Sequence, residues 1–112
     1  FLEQFRELDP TGGLALAERI VGVYLDSCGK TFAQIEEAAA AGDGEGLRRA
    51  AHSLKSSSGN VGAKPLYALL RELEGLGRDG DIEAARARLD DLRRAFARAC
   101  AELRALRAEI GP

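Results

Sequence analysis

The chain contains a single histidine, His52, so any imidazole chemistry must take place at this position. A neutral imidazole is a good nucleophile near pH 7 because its reference pKa is about 6.5, and an exposed ring nitrogen can accept a phosphoryl group. A lone histidine on the surface of a helix more often has no chemical function. The position of His52 therefore leaves two alternatives, a reactive side chain and an ordinary surface residue.

The residues around His52 are small or positively charged. On a helix, the positions three, four and seven residues away share its face. Around His52 these positions include Arg48, Arg49, Lys55, Ser56 and Gly59. Residues 45–64 contain four basic side chains and one acidic side chain, a local charge of +3 in a chain whose net charge is -2. This surface would attract a phosphate group or an acidic pocket, although exposed arginines are also typical of a solvated helix face.

The composition excludes several classes of protein. With 16 Lys and Arg against 18 Asp and Glu, the overall charge does not indicate binding to nucleic acid or to an anionic membrane. Cys28 and Cys100 lie 72 positions apart, without a CxxC motif or a second histidine, so we predict no metal site. Both occupy apolar positions of helical repeats, which favours buried, reduced thiols in a cytosolic protein. The sequence has no nucleotide-binding loop and no run of about 18 apolar residues, so we expect neither ATP binding nor a transmembrane helix.

Glycine clusters divide the chain into the helices that would position these residues. Between the clusters, apolar residues recur every three or four positions, which is typical of helices with one buried face. The predicted helices are 14–41, 44–60, Pro65 to the glycines at 75–80, and 82–110. The last is predicted as one continuous helix, because its apolar residues follow a heptad pattern from Ile82 to Ile110.

The ends of these helices carry residues that favour helix caps. Gly42 suits a C-terminal cap, and Asp43 and Asp81 suit the N-terminal caps of the helices that follow. No segment alternates polar and apolar residues over the length of a strand, so a sheet is not supported. We predict one all-α domain over 1–112, an antiparallel up-down four-helix bundle with a short additional N-terminal helix over 1–8.

The segment that begins at His52 matches a known sequence pattern. Residues 51–63 read AHSLKSSSGNVGA. This resembles the phosphoacceptor signature of histidine-containing phosphotransfer (HPt) domains, H-x-L-K-G-S-S followed by a Gly-Ala pair near the start of the next helix. The matching residues are His52, Leu54, Lys55, Ser57, Ser58, Gly62 and Ala63. The predicted order and lengths of the helices agree with this family over essentially the whole chain.

The resemblance implies roles for the residues near His52. His52 would carry the phosphoryl group, and Lys55 would help to orient or stabilise it as a surface cation. The family usually has a glycine four residues after the histidine, where this chain has Ser56. We expect this serine to cause modest crowding or to add a hydrogen bond to the phosphoryl group. The expected partner-binding residues are Arg48, Arg49, Ser56 and Gly59.

Glu74 matches a position at which HPt domains carry Gln or Glu, on the helix after the histidine. The resemblance implies that this side chain hydrogen-bonds the other ring nitrogen. A carboxylate that accepts the Nδ1–H would leave Nε2 free to attack and would stabilise positive charge on the ring. The alternative is an ordinary surface charge that pairs with Arg71 or Arg78. The sequence does not decide between the two.

The resemblance implies a carrier in a phosphorelay. A receiver domain, with its own aspartyl phosphate and Mg²⁺, would transfer the phosphoryl group to Nε2 of His52, and a second receiver would remove it. We expect the chain itself to need no cofactor and no metal, and to have no independent catalytic site. Its expected partners are receiver domains of response regulators or of a hybrid sensor kinase, with no nucleic acid and no direct membrane contact. We expect a cytoplasmic monomer and favour the C-terminal module of a larger hybrid sensor kinase over a free-standing carrier.

Two other functions are alternatives. An HPt-like docking module would bind a receiver, a kinase or another enzyme without being phosphorylated. Loss of the histidine or the lysine would favour that function, and both residues are present. A structural coiled coil or homodimer built on 82–110 would need exposed apolar residues along that helix.

Overall fold

The structure is a computed structural model that describes residues 13–110, with the side chains of 16–109. This part of the chain forms five helices. The helices are α1 Gly13–Ala41, α2 Gly44–Asn60, α3 Lys64–Asp79, α4 Ile82–Ala87 and α5 Leu89–Ile110. No strand is present in this part of the chain, so the all-α prediction is confirmed. The short N-terminal helix predicted over 1–8 lies outside the described residues. None of the five helices is long and apolar enough to cross a membrane.

The predicted helix caps at Gly42, Asp43 and Asp81 are confirmed. Gly42 has a φ of 72°, the left-handed conformation that glycine adopts without strain and that ends α1. The Asp43 carboxylate accepts a hydrogen bond from the Gly46 backbone N–H at 2.9 Å, and so begins α2. Asp81 caps α4 in the same way through the backbone N–H of Ala84. These short connections make neighbouring helices antiparallel.

The prediction of one continuous helix over 82–110 is wrong at Arg88. The Arg88 backbone N–H donates to the Ala85 carbonyl, three residues back, and this tighter turn separates α4 from α5. The Arg88 side chain forms ion pairs with Glu72 on α3 and Asp91 on α5. The break does not change the buried face, because Ala85 and Leu92 are both completely buried. For this reason, apolar spacing alone does not reveal it.

The two longest helices, α1 and α5, pack along each other through a line of specific contacts. Phe32 stacks on Phe96 with ring centroids 4.3 Å apart. Farther along, the Sγ atoms of Cys28 and Cys100 lie 3.9 Å apart as free thiols, and the predicted burial of both is confirmed. Burial, together with the neighbouring Cys28, raises the pKa of Cys100 to about 11. Both cysteines are part of the packed core.

Helices α2 and α3 approach each other closely at a point where two glycines, Gly44 and Gly77, face each other. A Cβ atom added to Gly77 would lie 2.8 Å from the Gly44 carbonyl oxygen and 2.9 Å from the Arg48 backbone nitrogen. No side chain fits in this space, so the two helices meet backbone to backbone. This contact lies near the carboxyl end of α3 and fixes how far the side chains of α3 reach across α2.

Candidate functional site

His52 lies on the outer face of α2. The inner face is formed by Leu47, Leu54 and Ser58, which are fully or almost fully buried, as their spacing predicts. The His52 side chain is 58% exposed, so the ring is open to a large partner. The buried face of α2 is held in register by Ser58, whose hydroxyl hydrogen-bonds the Tyr24 hydroxyl on α1 at 3.0 Å. His52 is thus an exposed side chain on a firmly packed helix.

The carboxylate of Glu74 contacts His52 from α3. Its Oε1 lies 2.7 Å from Nδ1 of His52, and its Oε2 lies 2.6 Å from Nζ of Lys55. Of the two alternatives for Glu74, the structure shows the contact with the histidine and no ion pair with Arg71 or Arg78 among residues 16–109. One carboxylate therefore bridges the imidazole and the ammonium group.

Glu74 is ionised in this arrangement. The hydrogen bond from Lys55, and secondarily that from His52, lowers the pKa of Glu74 below its usual value, although partial burial acts in the opposite direction. A carboxylate can only accept hydrogen bonds, so the contact assigns the imidazole proton to Nδ1. In the neutral ring, Nε2 then carries the lone pair, and it is the nitrogen that faces away from Glu74.

Comparison with known proteins decides the family to which the chain belongs. The family model described as Hpt domain matches residues 19–109. The chain belongs to the Hpt domain family. It is therefore a phosphotransfer carrier of two-component signalling.

A solved structure supports the membership of this Hpt domain over nearly its full length. The crystal structure of histidine-containing phosphotransfer protein B (HptB) from Pseudomonas aeruginosa PAO1 is 30% identical in sequence and superposes with a TM-score of 0.77. The match covers 96% of this chain and 90% of HptB. No curated protein matches the chain.

Lys55 of the Hpt domain is less exposed than a surface lysine would be. Its side chain is only 18% exposed and lies between the Glu74 carboxylate and the ring of Tyr67, whose centroid is 5.9 Å from Nζ. The Tyr67 ring also lies beside the exposed Gly59, where an added Cβ would lie 3.4 Å from two ring carbons. Tyr67 was not among the predicted site residues, although it lies on the same predicted helix as Glu74, two turns before it.

The basic residues near His52 in the Hpt domain differ in whether they have an acidic partner. Arg48 pairs with Glu45, with Nε 3.0 Å from Oε2, and Lys55 pairs with Glu74. Glu74 reduces the local charge from +3 to +2, and a count over 45–64 could not include it because it lies on the next helix. Arg49 forms no ion pair with any carboxylate among residues 16–109.

The structure places the predicted site residues in two groups around His52. Lys55 and Glu74 lie together on its α3 side. Arg49, Ser56 and Gly59 are exposed on the surface of α2. Arg48 lies nearer to α3, with its backbone against Gly77 and its guanidinium held by Glu45. The contact between Gly44 and Gly77 was not predicted, because glycines at the ends of helices are equally typical of caps and breaks.

Proposed function

We propose that this Hpt domain accepts a phosphoryl group on Nε2 of His52 from the aspartyl phosphate of a receiver domain and passes it to a second receiver domain. The observation that carries the proposal is the 2.7 Å contact between Nδ1 and Glu74, on a ring whose side chain is otherwise 58% exposed. The contact occupies one nitrogen and leaves the other free. The exposure of the His52 ring allows another protein to reach the free nitrogen.

The transfer needs no proton to leave His52. The Nε2 lone pair forms the new P–N bond while the P–O bond to the aspartate of the receiver breaks, and the aspartate leaves as a carboxylate. The proton stays on Nδ1, so the ring becomes positively charged, and the ionised Glu74 stabilises that charge. The reverse step returns the phosphoryl group to another aspartate. In such a loose transition state, positioning contributes more than acid–base chemistry.

Lys55 acts on this reaction through Glu74. The family resemblance implies contact between this lysine and the phosphoryl group, but in the unphosphorylated domain its ammonium lies 2.6 Å from Oε2 of Glu74. The ion pair keeps Glu74 charged and fixes the second oxygen, so that the first oxygen points at Nδ1. Lys55 is therefore a positioning residue in this proposal.

Receiver domains are the partners that this chemistry requires. They supply the aspartyl phosphate and the Mg²⁺ that neutralises it, so the Hpt domain itself needs no cofactor and no ATP-binding site. The receiver docks on the exposed surface of α2 around His52, which includes Arg49, Ser56 and Gly59. We place the carrier in the cytoplasm as a monomer, with no contact to nucleic acid or membrane, and size exclusion at several concentrations tests the monomer.

The test is incubation of the domain with a phosphorylated receiver, followed by acid and base treatment of the labelled chain. We expect acid-labile, base-stable label on the wild type and none on His52→Gln. Label that survives acid, or label on His52→Gln, would contradict the proposal. A wild-type domain that binds the receiver but never takes up label would instead be the docking module considered above.

A further inference from the structure

The direction of the Nδ1 contact determines which surface the reactive nitrogen faces. Glu74 approaches His52 from α3, and the two nitrogens of an imidazole lie on different edges of the ring. Nε2 is therefore directed away from α3, to the side of the ring on which the exposed surface of α2 continues toward α1. A phosphoryl group on Nε2 would extend over that side, and Glu74 and Lys55 would lie behind the ring.

Two side chains flank His52 on the α1 side. At 3.6 residues per turn, Arg49 and Ser56 are rotated from His52 by about 60° and 40° in one direction, and Arg48 and Lys55 by similar angles in the other. The contacts agree, since Arg48 and Lys55 meet α3, whereas Arg49 lines a groove between α2 and α1. Arg49 and Ser56 thus lie on the side of His52 away from Glu74, which is the side to which Nε2 is directed.

Among the three basic side chains nearest to His52, Arg49 alone has no carboxylate partner within residues 16–109. Glu45 holds Arg48, and Glu74 holds Lys55. Glu37 and Asp43 line the same groove as Arg49, but neither forms an ion pair with it. A guanidinium presents paired N–H donors that match two oxygens of a phosphoryl group, so a free arginine beside Nε2 is suited to bind one.

The three consecutive serines after Lys55 also differ in whether their hydroxyls have a partner. The Ser57 hydroxyl donates to the Ser53 carbonyl at 3.1 Å, and the Ser58 hydroxyl is buried against Tyr24. The exposed Ser56 hydroxyl forms no hydrogen bond to any group within residues 16–109. Helical side chains lean toward the N-terminus, so Ser56 leans back over the turn that carries His52.

We propose that Arg49 and Ser56 form the phosphoryl-binding side of His52. The Arg49 guanidinium, one turn before His52, donates to two oxygens of the phosphoryl group. The Ser56 hydroxyl, one turn after His52, donates to one of its oxygens. This inference rests on the proposed function, because it concerns the group that His52 carries. It assigns the contact with the phosphoryl group to residues other than Lys55, and it interprets Ser56 as a hydrogen-bond donor in place of the usual glycine.

The experiment labels the intact domain with two phosphoryl donors, a phosphorylated receiver and the small donor phosphoramidate. Phosphoramidate has no protein surface, so it reports contacts with the phosphoryl group alone. The variants are Arg49→Gln with Arg98→Gln, an exposed arginine on α5 outside the site, as its control, and Ser56→Ala with Ser53→Ala as its control. Circular dichroism confirms that each variant is folded.

With phosphoramidate, we expect Arg49→Gln to slow labelling about fivefold and Ser56→Ala about twofold, with the controls near wild type, as charged and neutral hydrogen bonds at an exposed site would contribute. The half-life of the phosphohistidine should shorten in both variants. If Arg49→Gln slows labelling only with the receiver, Arg49 binds the partner protein and the inference is wrong. Equal rates in all variants would also overturn it, while leaving the proposed function intact. A wild type that neither donor labels would overturn both.

Discussion

The two sides of His52 are built differently. On the α3 side, Glu74 and Lys55 are partly buried, each has a charged partner, and the helices meet backbone to backbone at Gly44 and Gly77. On the α1 side, Arg49 and Ser56 are exposed and have no partner within residues 16–109. Groups that are already paired can fix the tautomer and orientation of the ring. Groups without partners remain available to bind a phosphoryl group at Nε2.

Removing the Glu74 carboxylate should have the largest effect of any change on the α3 side of His52. We expect Glu74→Ala to slow phosphoryl transfer from a receiver by about 10- to 100-fold, as loss of a supporting hydrogen-bond partner commonly does. Glu74→Gln should slow transfer less, because the amide carbonyl oxygen can still accept the Nδ1–H. The ¹⁵N chemical shifts of the imidazole should show a mixture of the two neutral tautomers in Glu74→Ala only. Glu72→Ala on the same helix is the control, and a tautomer unchanged by Glu74→Ala would contradict the account.

A larger distance between α2 and α3 should weaken the contact between Glu74 and His52 indirectly. We expect Gly77→Ala to lower the free energy of unfolding by about 1–3 kcal/mol, because its Cβ would overlap the backbone of α2. Transfer should also slow as Glu74 moves away from His52. Urea denaturation measures the first effect. Gly75→Ala is the matched control, since its Cβ would meet only the end of the Arg78 side chain at 3.6 Å, and it should be neutral or stabilising.

Removing the ammonium group tests whether Lys55 is a positioning residue. We expect Lys55→Ala to lower the free energy of unfolding by about 1 kcal/mol, more than a surface substitution, because Glu74 loses a partner in a largely covered position. The pKa of Glu74 should rise, as followed by NMR of its carboxyl carbon. Lys64→Ala, an exposed lysine near the start of α3, should change neither quantity. An unchanged Glu74 pKa would show that the ion pair does not form.

The smallest expected effect is the dependence of stability on pH through Glu74. Its folded-state pKa is lowered from 4.5, so its contribution to stability is fully present above that value and is lost as the pH falls through the folded-state pKa. The difference in unfolding free energy between wild type and Glu74→Gln should therefore be constant near neutral pH and shrink below pH 4.5. Urea denaturation at several pH values measures it. A difference that grows as the pH falls would have the wrong sign.

The sequence predicts the helices well and the site only in part. Gly42, Asp43 and Asp81 act locally, so their types and spacing are enough to locate the helix ends. The break at Arg88 was not predictable from apolar spacing, because the same spacing continues through it. The position of Glu74 opposite His52 came from the family resemblance, whereas its bridge to Lys55 depends on the α2–α3 distance that Gly44 and Gly77 set. A charge count along one segment cannot include a contact between helices, so the count over 45–64 does not contain Glu74.

The most direct test of the account is which imidazole nitrogen carries the phosphoryl group. The domain is labelled with ¹⁵N in its single histidine and phosphorylated by a receiver. Coupled ³¹P and ¹⁵N spectra of the folded protein then identify the bonded nitrogen. The account predicts phosphorylation at Nε2, with the proton on Nδ1 still facing Glu74. A P–N bond at Nδ1 would contradict it, because that nitrogen is the one that Glu74 occupies at 2.7 Å.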